Sequence, residues 1–192
     1  MYKKPKILLV GAGNIGFRYL QGLNEIFIDL DIHIVDISKK SLEIVRERIM
    51  SFKKNSIINY YYYNNILELK DEFDIAIIST TADQRHKVIE LILKICKVNY
   101  WVLEKVLSQS NSDLELIRSF LGNKKNTWVN TGRRVNDFYK NIKNESFFIR
   151  KNSPYTIEIK GHNWGLACNG LHFIDLISDR KSTRLNSSHR CI

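Results

Sequence analysis

KILLVGAGNIG, Lys6 to Gly16, joins an apolar run to three glycines spaced G-x-G-x-x-G, and the fold turns on that junction. Lys6 to Val10 has the near-continuous apolar character of a strand buried on both faces of a parallel sheet. Outward from it, Asp31 to Val35, Ile57 to Tyr62, Phe73 to Ser79 and Tyr100 to Leu103 also read as strands. Helical spacing separates them: Leu42, Val45, Ile49 and Phe52 recur after Ser38, and Val88, Leu91, Ile92 and Ile95 after Asp83. A further helix is expected to open at Ser112, with Glu115 completing a capping box, and to stop near Gly122. Strand and helix in strict alternation predict an α/β fold, a doubly wound parallel sheet whose ligand site lies at the carboxyl ends of its strands.

The glycines stand where such a sheet binds a dinucleotide, between the first strand and the first helix. Gly11 permits the tight turn, Gly13 lets the backbone approach a pyrophosphate, and Gly16 lets helix and strand pack closely. The turn residues Asn14 and Ile15 then open a helix whose N–H groups face the phosphates. Asp36 follows Gly16 by twenty residues, ending the second strand, where a carboxylate accepts hydrogen bonds from adenosine ribose hydroxyls and repels a 2′-phosphate. That favours NAD over NADP, although Ser38, Lys39 and Lys40 follow closely. Capping of the next helix by Asp36 or Ser38 is compatible with the same spacing.

Beyond Thr127 to Asn130, a further strand candidate, the texture changes. A short helix is expected around Asn136 to Ile142, then strands at Ser146 to Arg150 and Tyr155 to Lys160. These readings divide the chain into a dinucleotide-binding domain, 1–125, an incomplete α+β second domain, 126–178, and a tail, 179–192.

The composition, 192 residues of which 44% are hydrophobic, is that of a folded protein. The formal charge of +10 is scattered in pairs such as Lys39-Lys40 and Lys53-Lys54, without the basic runs or Arg-aromatic stripes that track a phosphate backbone, so no nucleic-acid partner is expected. Cys96, Cys168 and Cys191 form no CxxC pair and no His/Cys cluster, which argues against a metal site and for a reducing cytoplasm. No stretch has the length of a membrane span.

ISTTADQRHKVIELILK and VNYWVLEKVL resemble the glucose-fructose oxidoreductase, inositol dehydrogenase and MocA-like (Gfo/Idh/MocA) family, a likeness extending over nearly all of residues 5–178. The resemblance implies an NAD(P)-dependent dehydrogenase of a sugar, sugar derivative or cyclitol, homo-oligomeric in its full-length form. It places Thr80, Thr81 and His86 along the nicotinamide half of the cofactor, with Ala82 at the family's proline. Glu104, Lys105 and Val106 take the place of its E-K-P signature, whose lysine is catalytic. Removing hydride from a carbinol requires the hydroxyl proton to leave, so a basic group must stand beside the reacting carbon. A lysine can serve as that base, since burial and a cationic nicotinamide beside it would each disfavour the charged form. Val106 departs from the pattern, and a non-proline residue resists a cis peptide.

Further on, VNTGRRVNDFY resembles the entry to the family's second domain, with Arg133 or Arg134 at a recurrent arginine. GLHFIDLI resembles its H-x-x-D helix, implying His172 as acid or base and Asp175 as its partner or a holder of substrate hydroxyls. Spacing alone leaves both residues equally readable as the wet side of an amphipathic helix. Cys168 stands where some members carry an additional acid. NWGLACN resembles members associated with bacterial surface-carbohydrate clusters. From Asp179, DRKSTRLNSSH resembles a translated sequencing-library adapter, which implies an interrupted second domain, a disordered tail and a chain that binds NAD but turns over weakly or not at all. The alternatives to an enzyme are a non-catalytic nucleotide-sensing module and, less suited to Gly16 and Lys105, a methyltransferase.

Overall fold

The structure, a computed structural model, describes residues 3–52, 57–70, 72–122, 125–144, 160, 162–163 and 165–181. The chain divides into two compact units, Met1–Val129 and Asn130–Ile192. The division falls after the sixth strand, a few residues beyond the boundary expected near 125.

In the first unit β1 (Lys6–Val10), β2 (Leu30–Val35), β3 (Ile58–Tyr63), β4 (Phe73–Ile78), β5 (Val98–Leu103) and β6 (Thr127–Val129) form one sheet in the order β3-β2-β1-β4-β5-β6. Every pairing is parallel. The chain order reverses between β1 and β4, so the loops leaving these two strands part and open a crevice at their carboxyl ends.

Alternate residues of each strand feed opposite layers. Ile7, Leu9, Ile32, Ile34 and Ile77 pack with Leu20 of α1 (Asn14–Asn24) and with Leu42 and Val45 of α2 (Lys39–Met50). Leu8, Val10, Ala76, Ile78, Trp101 and Leu103 pack with Ile89 and Ile92 of α3 (Ala82–Ile95) and with Ile117 and Leu121 of α4 (Asn111–Leu121). Truncating any one of these aliphatic side chains to alanine costs about 2–5 kcal/mol, as transfer energy plus a cavity.

Two helix starts differ from expectation. Ser110, not Ser112, caps α4: its Oγ accepts the Asp113 N–H at 3.1 Å, and the Ser112 hydroxyl lies 2.9 Å from it. Glu115 pairs instead with Arg118, at 2.8 Å. The third helix starts at Ala82, one residue before Asp83, because the chain leaves β4 and turns at Thr81.

The second unit contains a short 3-10 turn, Gly132–Val135, then α5 (Asp137–Asn144) and α6 (Leu166–Lys181). The strand expected at 146–150, residues 155–159 of the one expected at 155–160, and the tail from 182 lie outside the described residues, and Lys160 is in no strand. Residues 179–181 continue α6 by nearly a turn, so the expected disorder does not begin at Asp179.

Candidate functional site

The glycine turn is shaped by what a side chain would hit. Gly11 has φ +100°, and a Cβ there would come within 3.0 Å of Ser79 and the Thr80 nitrogen. At Gly16 a Cβ would stand 1.9 Å from the Gly11 carbonyl oxygen, so the helix can approach the turn only without one. Around Gly13 the corresponding space is open to 4 Å. Gly13 is also the N-cap of α1 and offers no side-chain acceptor, leaving the N–H groups of the first turn to an outside anion. Asn14 and Ile15 are exposed at this end.

Asp36 stands just beyond β2. Its Oδ2 accepts the Ala12 N–H at 2.7 Å, within the glycine turn, and its Oδ1 accepts the Ser38 N–H at 2.8 Å. Ser38 then caps α2 through the Ser41 N–H at 3.2 Å. Of the two capping residues the sequence allowed, Ser38 is the cap, and Asp36 tethers the turn. Each carboxylate oxygen keeps acceptor capacity for a hydroxyl.

A cavity of about 530 Å³ opens at the carboxyl ends of β4 and β5, lined by Ile15, Ser79, Thr80, Thr81, Ala82, Arg85, Glu104, Lys105, Val106, Ser108 and Gln109. It gathers five of the expected residues, Ile15, Thr80, Thr81, Glu104 and Lys105, onto one wall system. His86 is not among the lining residues: its Nδ1 faces Asp113 of α4 at 3.5 Å. One residue earlier on the helix is a rotation of about 100°, and it carries Arg85 into the cavity wall instead.

Three residues of this region were not anticipated. The Ser79 hydroxyl lies 2.7 Å from the Gly11 carbonyl oxygen and 3.0 Å from that of Val10, joining the ends of β4 and β1 across the switch point. Tyr19 of α1 donates to Glu104 Oε1 at 2.6 Å. Arg85, 2% exposed, donates through Nη1 to the carbonyl of Val106 and, at 3.0 Å, to that of Leu107, and through Nη2 to that of Thr80 at 2.5 Å. Burial pushes its guanidinium below the ordinary value, against the opposing pull of Glu104, Tyr19 and Asp83, and it stays charged. An arginine on the apolar stripe of Ile89 and Ile92 was the available signal.

Glu104, 7% exposed, accepts the Lys105 N–H through Oε2 at 3.2 Å. Lys105 is half-buried, and its peptide bond to Val106 is cis, contrary to what a non-proline residue leads one to expect.

The residues present fit a dinucleotide on two counts: the bare, glycine-cleared end of α1, and the Thr80 hydroxyl, which is buried in the cavity wall with no hydrogen-bond partner among the described residues. A buried hydroxyl without a partner is costly, and a polar group such as a carboxamide would satisfy it.

In the second unit His172 and Asp175 both lie on α6. Arg134 holds the Asp175 carboxylate in a fork, Nε to Oδ2 at 2.6 Å and Nη2 to Oδ1 at 2.5 Å. Arg133 donates to Asn169 at 3.1 Å and to the Tyr139 hydroxyl at 3.2 Å, its guanidinium 4.0 Å above the Phe173 ring. The recurrent arginines therefore anchor the turn at 132–135 to α6.

Among the described residues no group of three or more His, Cys, Asp or Glu could hold a metal ion, and no helix is long and apolar enough to cross a membrane. No family model and no curated protein matches the chain. Solved structures do. An oxidoreductase from Agrobacterium radiobacter in complex with NAD+, L-tartaric acid and magnesium is similar over 73% of this chain and 39% of its own, with TM-score 0.58 and 20% identity. For myo-inositol 2-dehydrogenase from Lactobacillus plantarum the values are 73%, 40%, 0.57 and 15%. For myo-inositol dehydrogenase from Lactobacillus casei in complex with NAD(H) and myo-inositol they are 73%, 40%, 0.56 and 17%. The chain spans about two fifths of the length of these structures, and over that span it shares the fold of NAD-binding oxidoreductases of the inositol dehydrogenase type.

Proposed function

We propose that the chain belongs to the Gfo/Idh/MocA oxidoreductases and serves an NAD-dependent dehydrogenation of a hydroxyl on a sugar, sugar derivative or cyclitol. One juxtaposition carries this reading: Ile15, beside the bare end of α1, and Lys105 line the same cavity at the switch point. Gly11, Gly13 and Gly16 clear the approach of the pyrophosphate, Asp36 receives the adenosine ribose, and Thr80 and Thr81 flank the nicotinamide. NAD, when bound, supplies the hydride acceptor.

The chain's own task is the proton. Lys105 Nζ takes it from the substrate hydroxyl, and Glu104 fixes the lysine's backbone through the 3.2 Å hydrogen bond. The Gfo/Idh/MocA resemblance adds His172 as a second acid or base and Asp175 as a holder of substrate hydroxyls.

Calorimetric titration with NAD(H) and NADP(H), followed by turnover assays on cyclitols and sugars, tests the reading. NAD binds more tightly than NADP, and in a full-length version Lys105→Ala retains NAD affinity while losing about 10²–10⁴-fold in turnover. Absence of NAD(H) uptake sinks the proposal. Uptake with no turnover in either form of a full-length version leaves a nucleotide-sensing module in its place.

A further inference from the structure

We infer that Arg85 is the positioning residue of Lys105, the group that fixes where the lysine stands in the cavity. The inference rests on reading Lys105 as the base. One buried guanidinium bridges the loops leaving β4 and β5, donating to Thr80 on one side and to Val106 and Leu107 on the other. The latter two are the residues immediately after Lys105, while the lysine's own N–H is held from before by Glu104. The backbone of Lys105 is therefore held on both sides.

Glu104 is the largest attractive partner of Arg85, and its carboxylate is itself held by the Tyr19 hydroxyl at 2.6 Å. The fork geometry is what the task needs: two terminal nitrogens in one plane reach carbonyls on two different loops, which a single ammonium cannot do. A cation in the first turn of α3 opposes the helix dipole, so helix formation alone gives no reason for it there.

Acetylation of Lys105, quantified by mass spectrometry against exposed Lys97 in the same sample, reads the lysine's environment without needing a substrate. In Arg85→Ala the Lys105-to-Lys97 ratio is expected to rise by roughly fivefold, the loss expected from about one net hydrogen bond. Added ethylguanidinium should return the ratio towards wild type, and Arg85→Lys should restore it only in part. Rescue by a guanidinium is a readout that a general loss of stability would not give.

An unchanged ratio in folded variants, or a ratio that ethylguanidinium does not move, overturns the assignment. So does failure of both variants to fold, which would make Arg85 a requirement of the sheet rather than of the lysine. Should the wild-type chain take up no NAD, the oxidoreductase reading falls by itself, while the acetylation ratio still decides the role of Arg85.

Discussion

Asp36 Oδ2 accepts the backbone N–H of Ala12 at 2.7 Å, so the carboxylate expected to receive the ribose also holds the glycine turn in place. The two roles predict different outcomes for one substitution. Asp36→Ala strands the N–H of Ala12, a residue only 4% exposed, at a cost of about 1–3 kcal/mol. It also removes the negative charge beside Lys39 and Lys40. NAD affinity should fall by about tenfold or more, with a smaller loss for NADP, because repulsion of a 2′-phosphate is relieved. Parallel calorimetric titrations check this. An unchanged NADP-to-NAD ratio would reduce Asp36 to a tether.

Two glycines of α1 predict opposite effects of the same change. Gly16→Ala drives a methyl to 1.9 Å from the Gly11 carbonyl, a contact that only a shift of α1 against β1 can relieve. Stability should drop by about 1–3 kcal/mol or more, and NAD binding should be lost with it. Gly22→Ala meets nothing within 4 Å and replaces the poorest ordinary helix former by the best, so it should raise stability by roughly 0.5–1 kcal/mol. Thermal melts of the two variants decide it, and equal effects would contradict the packing described for the turn.

The sheet and its glycine turn were legible because their signals are local: apolar runs of strand length, helical spacing, and a G-x-G-x-x-G at a strand-to-helix junction. β1 spans the expected Lys6–Val10, and β2 to β5 deviate by one or two residues at their ends. The place of Arg85 on the apolar stripe of α3 signals burial, but its role was not legible, since its partners are backbone carbonyls of Thr80, Val106 and Leu107, groups that every residue carries. His86 was displaced for a related reason: adjacent helix positions point about 100° apart, and the one that faces the cavity depends on how α3 rolls against the sheet. Ser110 and Ser112 offer the same hydroxyl two residues apart, and only the hydrogen bond to Asp113 distinguishes them.

The tyrosine run on β3 predicts an alkaline transition. Burial raises the Tyr60 hydroxyl to about 12, with neighbouring Tyr62 adding to the effect, and burial raises Tyr62 as well against the pull of Arg46. The folded state thus keeps a proton that the unfolded chain releases near 10. The stabilisation is complete below that value and is lost as pH climbs towards about 12. Absorbance at 295 nm should show a late fraction of the tyrosinate appearing together with unfolding, and Tyr60→Phe should move the midpoint upwards. Early, reversible ionisation of every tyrosine without unfolding would refute this.

The Arg134–Asp175 fork predicts how the second unit answers substitution. The carboxylate is 13% exposed and the guanidinium 35%, so the pair is screened on one side only. Asp175→Asn keeps the shape but gives up the charge and one acceptor, and should cost about 1–2 kcal/mol locally. Amide exchange should accelerate in α6 and in the turn 132–135, which the pair joins, and remain unchanged in β1 and β4. Arg134→Met should accelerate the same amides. It leaves a carboxylate short of its partner, so the loss should exceed that of Asp175→Asn, and the double variant should cost less than the sum of the two. Additive costs would mean that the two residues act separately. A turnover loss in Asp175→Asn without any change in exchange would move Asp175 from anchoring α6 to handling substrate.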